Sequence, residues 1–322
     1  MPEISLIITT YNRPHMLARA VESARKASRG EVEVVVVDDA STDETARLCR
    51  SIPHIKYVRA ERNQRVAGAR NLGILASRGE FLGFLDDDDV RLPGSLDPQL
   101  AALAADRQAG FIYGQAILSG HDGAVKEDCY PAGCPQGDIF FRLLAQNFIP
   151  CGSVVFRRAC LSRVGLLDDA LAGIDDWDLW LRIAALYKVK ALEQPVLRWR
   201  KSTPVSGQGS SRALEIVKLS TRQFRESWLA LPQAAETSAA RRREIAHLFS
   251  DNMAAHLLWE TWRASAAGEV KTACRNMLGA MRLHPAGMIR VAARRASLRF
   301  FLAHAAGERR ALKARAGQLP NS

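Results

Sequence analysis

The sequence predicts an α/β protein: a mainly parallel sheet with flanking helices, extended at its C-terminus by an all-α segment. Three observations point there. Over residues 1–90, short apolar runs rich in β-branched residues alternate with segments whose apolar residues recur at helical spacing. That is the pattern of strand–helix–strand units with right-handed crossovers. Two of the runs end in carboxylates, Asp38-Asp39 and Asp86–Asp89. Parallel strands point their C-termini to one edge, where open α/β sheets place ligands. Finally, the charge is uneven: residues 1–211 hold 26 Lys+Arg against 26 Asp+Glu, so the whole +11 excess falls in 212–322. This break divides the chain into a 1–211 domain and a basic 212–322 extension, and suggests an acidic partner for the latter.

Taken in order, Ile4–Thr9 is a β-branched run that reads as a buried strand, and Pro14 opens a helix, where its missing N–H costs nothing. Met16, Leu17, Ala20, Val21 and Ala24 give that helix one apolar face. Val32–Val37 is a near-continuous apolar strand, as buried parallel strands are. Ser41 or Thr42 is placed to cap a helix over Glu44–Ser51. Ile55–Val58 is a third strand, Val66–Ser77 a third helix and Phe81–Leu85 a fourth strand. Beyond it, Phe111–Leu118 and Ser153–Arg157 read as strands, Gly120–Gly123 as a hairpin turn, Ile139–Gln146 as a short helix and Arg163–Ala170 as a loop. From Asp176 the sequence is helical, with Leu179, Ile183 and Leu186 on one face and acids at the positive end of the helix dipole.

The stretch around which these elements are arranged is Phe81–Arg91, an apolar strand running into four consecutive aspartates. Even in water, two like charges ~4 Å apart repel by about 1 kcal/mol. A hard divalent cation with oxygen ligands, its shell completed by substrate phosphates, relieves that repulsion. The plainer alternative is a solvated acidic turn.

Composition excludes several classes. With 322 residues, 48% hydrophobic and 25% charged, the chain reads as an ordinary soluble globular protein. No run of 18 apolar residues predicts a spanning helix. The start, MPEISLIITTYNR, lacks a basic n-region and cleavage site, so it reads as the first strand rather than a signal peptide. Cys49, Cys129, Cys134, Cys151, Cys160 and Cys274 match no zinc or disulfide spacing and are expected as free thiols in a reducing cytosol. No G-x-G-x-x-G follows the first strand and no P-loop is present, which argues against dinucleotide-binding and P-loop NTPase sites. No recognition motif accompanies the basic tail, so nucleic acid is not expected as a partner.

The segments TTYNR (9–13), VVDDASTD (36–43), GARNLGI (68–74), FLDDDD (84–89), VFRRACLSRVGLLDD (155–169) and DDWDLWLRIA (175–184) together resemble the family 2 glycosyltransferases, nucleotide-sugar enzymes of the GT-A fold. The motifs fall in the family's order and cover roughly residues 1–205. The resemblance implies that Thr9 and Tyr11 contact the nucleobase, with Arg13 in the same nucleotide-binding set. It implies that Asp39, with Asp38, accepts the base imide N–H, and that Arg70 lies beside the nucleotide. Asp86, Asp87 and Asp88 align with the D-x-D signature, Asp88 as direct ligand of Mn²⁺ or Mg²⁺ and Asp86 near the ribose or metal. Asp176 falls at the catalytic-base position, with Asp175 and Trp177 beside it. Many relatives carry a histidine in the loop after the last strand. Here that loop reads Arg198–Pro204 without one, leaving Arg200 or Lys201 to neutralise the diphosphate and the full metal ligand set open.

The implied reaction is inverting, metal-assisted transfer of a sugar from a nucleoside-diphosphate donor, most simply a UDP-sugar, to a glycan or lipid-linked acceptor in cell-surface polysaccharide or glycoconjugate synthesis. Two rivals remain: a nucleotidyltransferase, and a non-catalytic glycan-binding or scaffold protein on a degenerate transferase domain. Plainer readings stand beside the site residues. Asp39 and Ser41 cap a helix, Arg70 only pairs with the acids, Trp177 is core or acceptor-pocket wall, and Asp175 and Asp178 are helix-start acids.

The extension reads as helices over Ala213–Leu229, Ala239–Ala266, Val270–Leu283 and Ala286–Ala306, punctuated by Gly268 and Pro285. Residues 287–303 mix apolar side chains with Arg290, Arg294, Arg295 and Arg299. That composition suits an anionic membrane surface, hence a cytoplasmic protein peripheral at the inner face of the membrane. It equally suits packing on the catalytic domain or a homo-oligomer interface.

Overall fold

The computed structural model describes residues 2–119, 125–200 and 211–293. The chain divides into two compact units, Met1–Ser202 with Leu219–Thr237, and Thr203–Lys218 with Ser238–Ser322. The charge break at 211 lies inside the stretch that groups with the second unit.

The first unit begins with the expected parallel half-sheet. Strands β1 (Ile4–Thr10), β2 (Val32–Asp38), β3 (Lys56–Arg59) and β4 (Phe81–Asp86) lie in the order β3-β2-β1-β4. Every residue of β1 is buried, which is why its sequence is apolar without alternation. One face carries Ile4, Leu6 and Ile8 into a core shared with Val34, Val36 and the helix α1 (Pro14–Lys26). The helix α2 (Thr45–Ser51) adds Cys49 to that same core, while α3 (Arg65–Ala76) covers the other face, where Gly73 lies over Ile7 and Val37. A Cβ at Gly73 would lie 2.3 Å from Ile7 Cγ2, so this position accepts only glycine without displacing the strand or helix.

Register places the functional edge. Thr10 pairs with Asp38, and Thr9 pairs with both Val37 and Asp86. The ends of three strands are therefore brought level, as the shared C-terminal edge requires.

Beyond β4 the sheet is mixed. β5 (Val90–Arg91) and α4 (Leu96–Ala105) lead to β6 (Ala109–Ser119), against which β7 (Val125–Tyr130) forms an antiparallel hairpin. The helices α5 (Phe140–Ala145) and α6 (Leu161–Val164) flank β8 (Val155–Arg157), which is antiparallel to both β4 and β6. After α7 (Asp175–Ala184), β9 (Lys188–Arg200) runs parallel to β6 and antiparallel to β5. The helix α7 is fixed by an aromatic cluster: Trp180 sits 5.4 Å from Phe111, 5.5 Å from Phe156 and 6.2 Å from Phe84, ring to ring, joining it to β6, β8 and β4. Each buried aromatic adds large apolar area with preferred tilted geometry.

Three expectations change. Arg198–Arg200 belong to β9 rather than a loop; Pro195 lies within the same strand, at a register irregularity where a missing N–H is tolerated. The helix α4 was not anticipated because Pro98 and Gly94 punctuate it, yet Pro98 lies in its first turn, where no intrahelical N–H is needed. Neither Ser41 nor Thr42 caps α2; Asp43 Oδ1 instead accepts from Thr45 N (2.9 Å) and Thr45 Oγ1 (2.5 Å). The turn expected at Gly120–Gly123 lies outside the described residues.

The helix α8 (Ala213–Glu226) starts in the second unit and ends in the first, followed there by α9 (Pro232–Ala235). The second unit is helical as read from sequence. The helix α10 (Ala239–Ala266) is capped by Ser238, whose side chain accepts from Arg241 N, and stops before Gly268 at φ 78°. It packs on α11 (Val270–Leu283) and on α12, which opens on Pro285 and is described to Ala293. Arg290 of α12 pairs with Asp251 at 2.6 Å. The rest of the basic 287–303 segment lies outside the described residues. No helix among the described residues is long and apolar enough to cross a membrane.

Candidate active site

The loop after β1 is tied to the loop after β2. Asn12, at φ 54°, donates its backbone N–H to Ser41 Oγ (2.9 Å), and its side-chain oxygen accepts from Thr42 N (2.8 Å). Thr9 is buried and Tyr11 exposed. Asp38 is fully buried and turned into the fold, where Oδ1 accepts from Ser41 N (2.8 Å) and Oδ2 from Tyr57 Oη (2.9 Å). It braces the edge. Asp39 Oδ1 accepts from Gln64 N at 2.7 Å; burial raises its pKa, outweighing the backbone N–H groups of Gln64 and Arg65, which favour its ionised form. An open cleft lined by Ala40, Ser41, Thr42, Asp43, Arg59, Ala60 and Glu61 adjoins this turn.

The four aspartates after β4 have different partners. Asp86 pairs with Arg70 Nη2 at 2.9 Å. Asp87 accepts from Thr10 Oγ1 (2.7 Å) and Arg13 Nη1 (3.1 Å), and burial pushes it up to about 6. Asp88 also meets Arg13 Nη1, at 3.3 Å; burial and then repulsion from Asp86 raise its pKa. Asp89 is buried and accepts from the backbone N–H of Arg200 (2.8 Å), with burial holding it well above the usual carboxylate range. Among the described residues no three His, Cys, Asp or Glu side chains converge as a ready cation cage. However, oxygens of Asp87 and Asp88 share one cationic nitrogen. Such a sparse set of hard oxygen donors fits Mg²⁺ or Mn²⁺ when substrate phosphates and water complete the shell.

The start of α7 is joined to this turn through Arg70 on α3. The guanidinium is buried and forks, Nη1 to Asp175 Oδ2 and Nη2 to Asp86 Oδ1, both at 2.9 Å. Arg70 thus holds the acid pair of α7 against the end of β4. Asp175 is satisfied by this pair. Asp176 is different: among the described residues its carboxylate accepts from the N–H of Trp177 (2.7 Å), and burial, then repulsion from Asp175, push it up to about 7. A buried, under-donated carboxylate with its pKa raised in this way has the properties of a general base.

The neighbouring residues are structural. Asp178 accepts from Arg182 Nε (2.8 Å) and from Trp228 Nε1 (2.8 Å). Trp177 donates to Leu143 O (2.8 Å) and packs its ring 4.6 Å from Trp228, so it is core. The Arg200 side chain meets Met16 Sδ, while Lys201 lies outside the described residues. Two residues beyond the sequence reading belong to the neighbourhood. Cys151 senses the charges of Arg70, Asp176, Asp86 and Asp175, its thiol held well above the usual range by burial. Arg91 is buried without an acid, donating to Gly152 O (3.1 Å) and Gln99 Oε1 (2.8 Å), and burial pulls it down to about 9. No local signal marks either one; only the tertiary fold brings them here.

A sheet with acids at one edge and a helix-borne acid pair docked beside them defines the GT-A class of α/β fold. The same fold is seen in Staphylococcus aureus TarS 1–349 in complex with UDP-GlcNAc, with a TM-score of 0.54 and 15% identity over 87% of this chain and 92% of that one. The model of glycosyl transferase family 2 matches residues 5–163, and this part of the chain belongs to that family. Its relatives include the succinoglycan biosynthesis protein ExoO of Rhizobium meliloti strain 1021, 40% identical over 98 residues, 30% of this chain and 28% of ExoO. Another is the UDP-Glc:alpha-D-GlcNAc-diphosphoundecaprenol beta-1,3-glucosyltransferase WfgD of Escherichia coli, 28% identical over 59% of this chain and 72% of WfgD. The shared stretch spans less than two thirds of several other curated relatives, from 64% down to 26% of their length.

Proposed function

We propose that the protein is an inverting glycosyltransferase that moves a sugar from a nucleoside-diphosphate donor, with UDP as carrier, to an acceptor hydroxyl during polysaccharide or glycoconjugate synthesis. The observation that carries this reading is Asp176, a buried carboxylate with no side-chain donor, held beside the acidic strand end through Asp175, Arg70 and Asp86. The names of ExoO and WfgD support the polymer context, and those of WfgD and the TarS complex support a UDP-sugar.

In this reading Asp176 takes the proton of the acceptor hydroxyl as its oxygen attacks the anomeric carbon. The carbon–oxygen bond to the diphosphate breaks, and the nucleoside diphosphate leaves. A single displacement inverts the anomeric centre. Asp88, with Asp86 or Asp87, would hold Mn²⁺ or Mg²⁺, which when bound supplies Lewis-acid stabilisation of the leaving diphosphate. Asp39 would accept a nucleobase N–H at this edge, with Tyr11 offering an exposed ring on the loop after β1.

Release of UDP from a panel of UDP-sugars, with and without Mn²⁺, tests the reading. Metal-dependent release from one donor is expected. Asp88→Asn should lower metal-dependent UDP affinity by about 10–100-fold, as loss of a carboxylate that anchors a cation does. Calorimetry showing undiminished, metal-dependent UDP affinity in that variant would remove Asp88 from the ligand set.

A further inference from the structure

Among the described residues, Arg13 is the cation whose side chain contacts both Asp87 and Asp88. The four carboxylates of the turn are not equally committed. Asp86 is locked to buried Arg70, and Asp89 to the backbone of β9. Asp87 has Thr10 as a second side-chain donor, whereas Asp88 meets Arg13 and feels the charge of Arg200 from farther off. Arg13 differs from Arg70 in kind. It sits on the loop between β1 and α1, its side chain is 43% exposed against 5% for Arg70, and a single nitrogen serves both carboxylates. Asp88 is 30% exposed, so the Arg13–Asp88 contact is open to water and weakly held, while Asp87, 5% exposed, still has Thr10 as a donor when Arg13 leaves. The planar fork of a guanidinium makes stronger, bidentate bonds to phosphate oxygens.

We propose that Arg13 is a resident counter-cation of the acidic turn: it occupies Asp87 and Asp88 until a nucleoside diphosphate arrives, then passes to the diphosphate and frees Asp88. This rests on the nucleotide-sugar reading above. Its consequence is binding order. A divalent cation arriving alone meets carboxylates already neutralised and a positive charge in its way. Arriving with the diphosphate, it meets a freed Asp88 and phosphate oxygens. The protein thus discriminates against the bare cation and favours the cation–nucleotide pair.

The test is Mn²⁺ binding to the full chain, read from the electron paramagnetic resonance signal of free Mn²⁺, without and with UDP. The parent should bind Mn²⁺ weakly alone and at least about tenfold more tightly with UDP, since one unit of charge at contact distance is worth that factor or more at a protein surface. Arg13→Gln should bind Mn²⁺ alone at least about tenfold more tightly than the parent, and gain less from UDP. Arg13→Lys keeps the charge and should remain weak without UDP. Unchanged or weaker Mn²⁺ binding by Arg13→Gln, with UDP-supported binding still abolished by Asp88→Asn, overturns the counter-cation role and leaves the metal reading standing. If no protein binds Mn²⁺ even with UDP, the metal reading falls and the proposal falls with it.

Discussion

Asp176→Asn lowers kcat by about 10²–10⁴-fold, the usual contribution of general-base catalysis, while donor affinity changes within a few fold. The amide keeps the size of the side chain and can still accept from the N–H of Trp177 but cannot take a proton. Because the Asp176 carboxyl is pushed up to about 7 by burial and by Asp175, the parent's kcat/KM should rise with pH and level off above about 7. Only the ionised carboxylate is a base, so the limb lies on the acid side, and it should vanish from the residual activity of the variant. Steady-state kinetics across pH 5–9 read both effects. Activity retained within a few fold would move the base to Asp175, since Asp178 is spent on Arg182 and Trp228.

Arg70→Gln destabilises the first unit by about 3–5 kcal/mol at neutral pH, the range for removing one partner of a buried ion pair. Asp175 is 2% exposed and would keep only the weak bond from Gly173 N at 3.3 Å, with Asp176 next to it. The sign with pH follows. Asp176 is already pushed up to about 7 by burial and Arg70 opposes that rise, so removing Arg70 lifts its folded-state pKa further above the unfolded value; the ionised form is penalised, and the penalty fades as pH falls and the carboxyl protonates. Thermal melts of parent and variant should therefore be far apart at pH 7.5 and closer at pH 5. Arg70→Lys should recover part of the loss only, since one ammonium cannot fork to both Asp86 and Asp175. A melt at pH 7.5 within about 1 kcal/mol of the parent would show that the fork is not a structural tie.

Much of this was legible in the sequence because the parallel half is dictated locally. Ile4–Thr10 and Val32–Asp38 are apolar enough to be buried on both faces, and their polar ends mark the edge. The acid pair of α7 was readable for the same reason, as an abrupt change from apolar pattern to charge. Partnership was not. Nothing near Asp38 in sequence says that its carboxylate is consumed by Ser41 and Tyr57 while that of Asp39 turns to the backbone at Gln64. Arg70 lies 105 residues from Asp175, and no local rule pairs them. Its burial also changes its reading, from a residue beside the nucleotide to one whose fork is already filled by acids. The strand β9 runs through Pro195, a residue whose effect on a strand depends on which neighbour its missing N–H would have faced.

The bond from Trp228 to Asp178 gives the chain a timetable. Asp178 and Trp177 are made early, yet the indole that satisfies one and covers the other belongs to Leu219–Thr237, which emerges only after residues 203–218 of the other unit. At about 5–20 residues per second, the ribosome leaves the nascent transferase unit without its last piece for some 2–7 s. Through that interval α7 is held by Trp180, by Arg70 and by the bond from Trp177 to Leu143 O, while Asp178 has Arg182 but not the indole of Trp228. Folding of the first unit is therefore completed from downstream, and a stop codon placed between residues 202 and 228 would release a chain that carries every residue of the candidate site but lacks the indole that satisfies Asp178 and packs on Trp177.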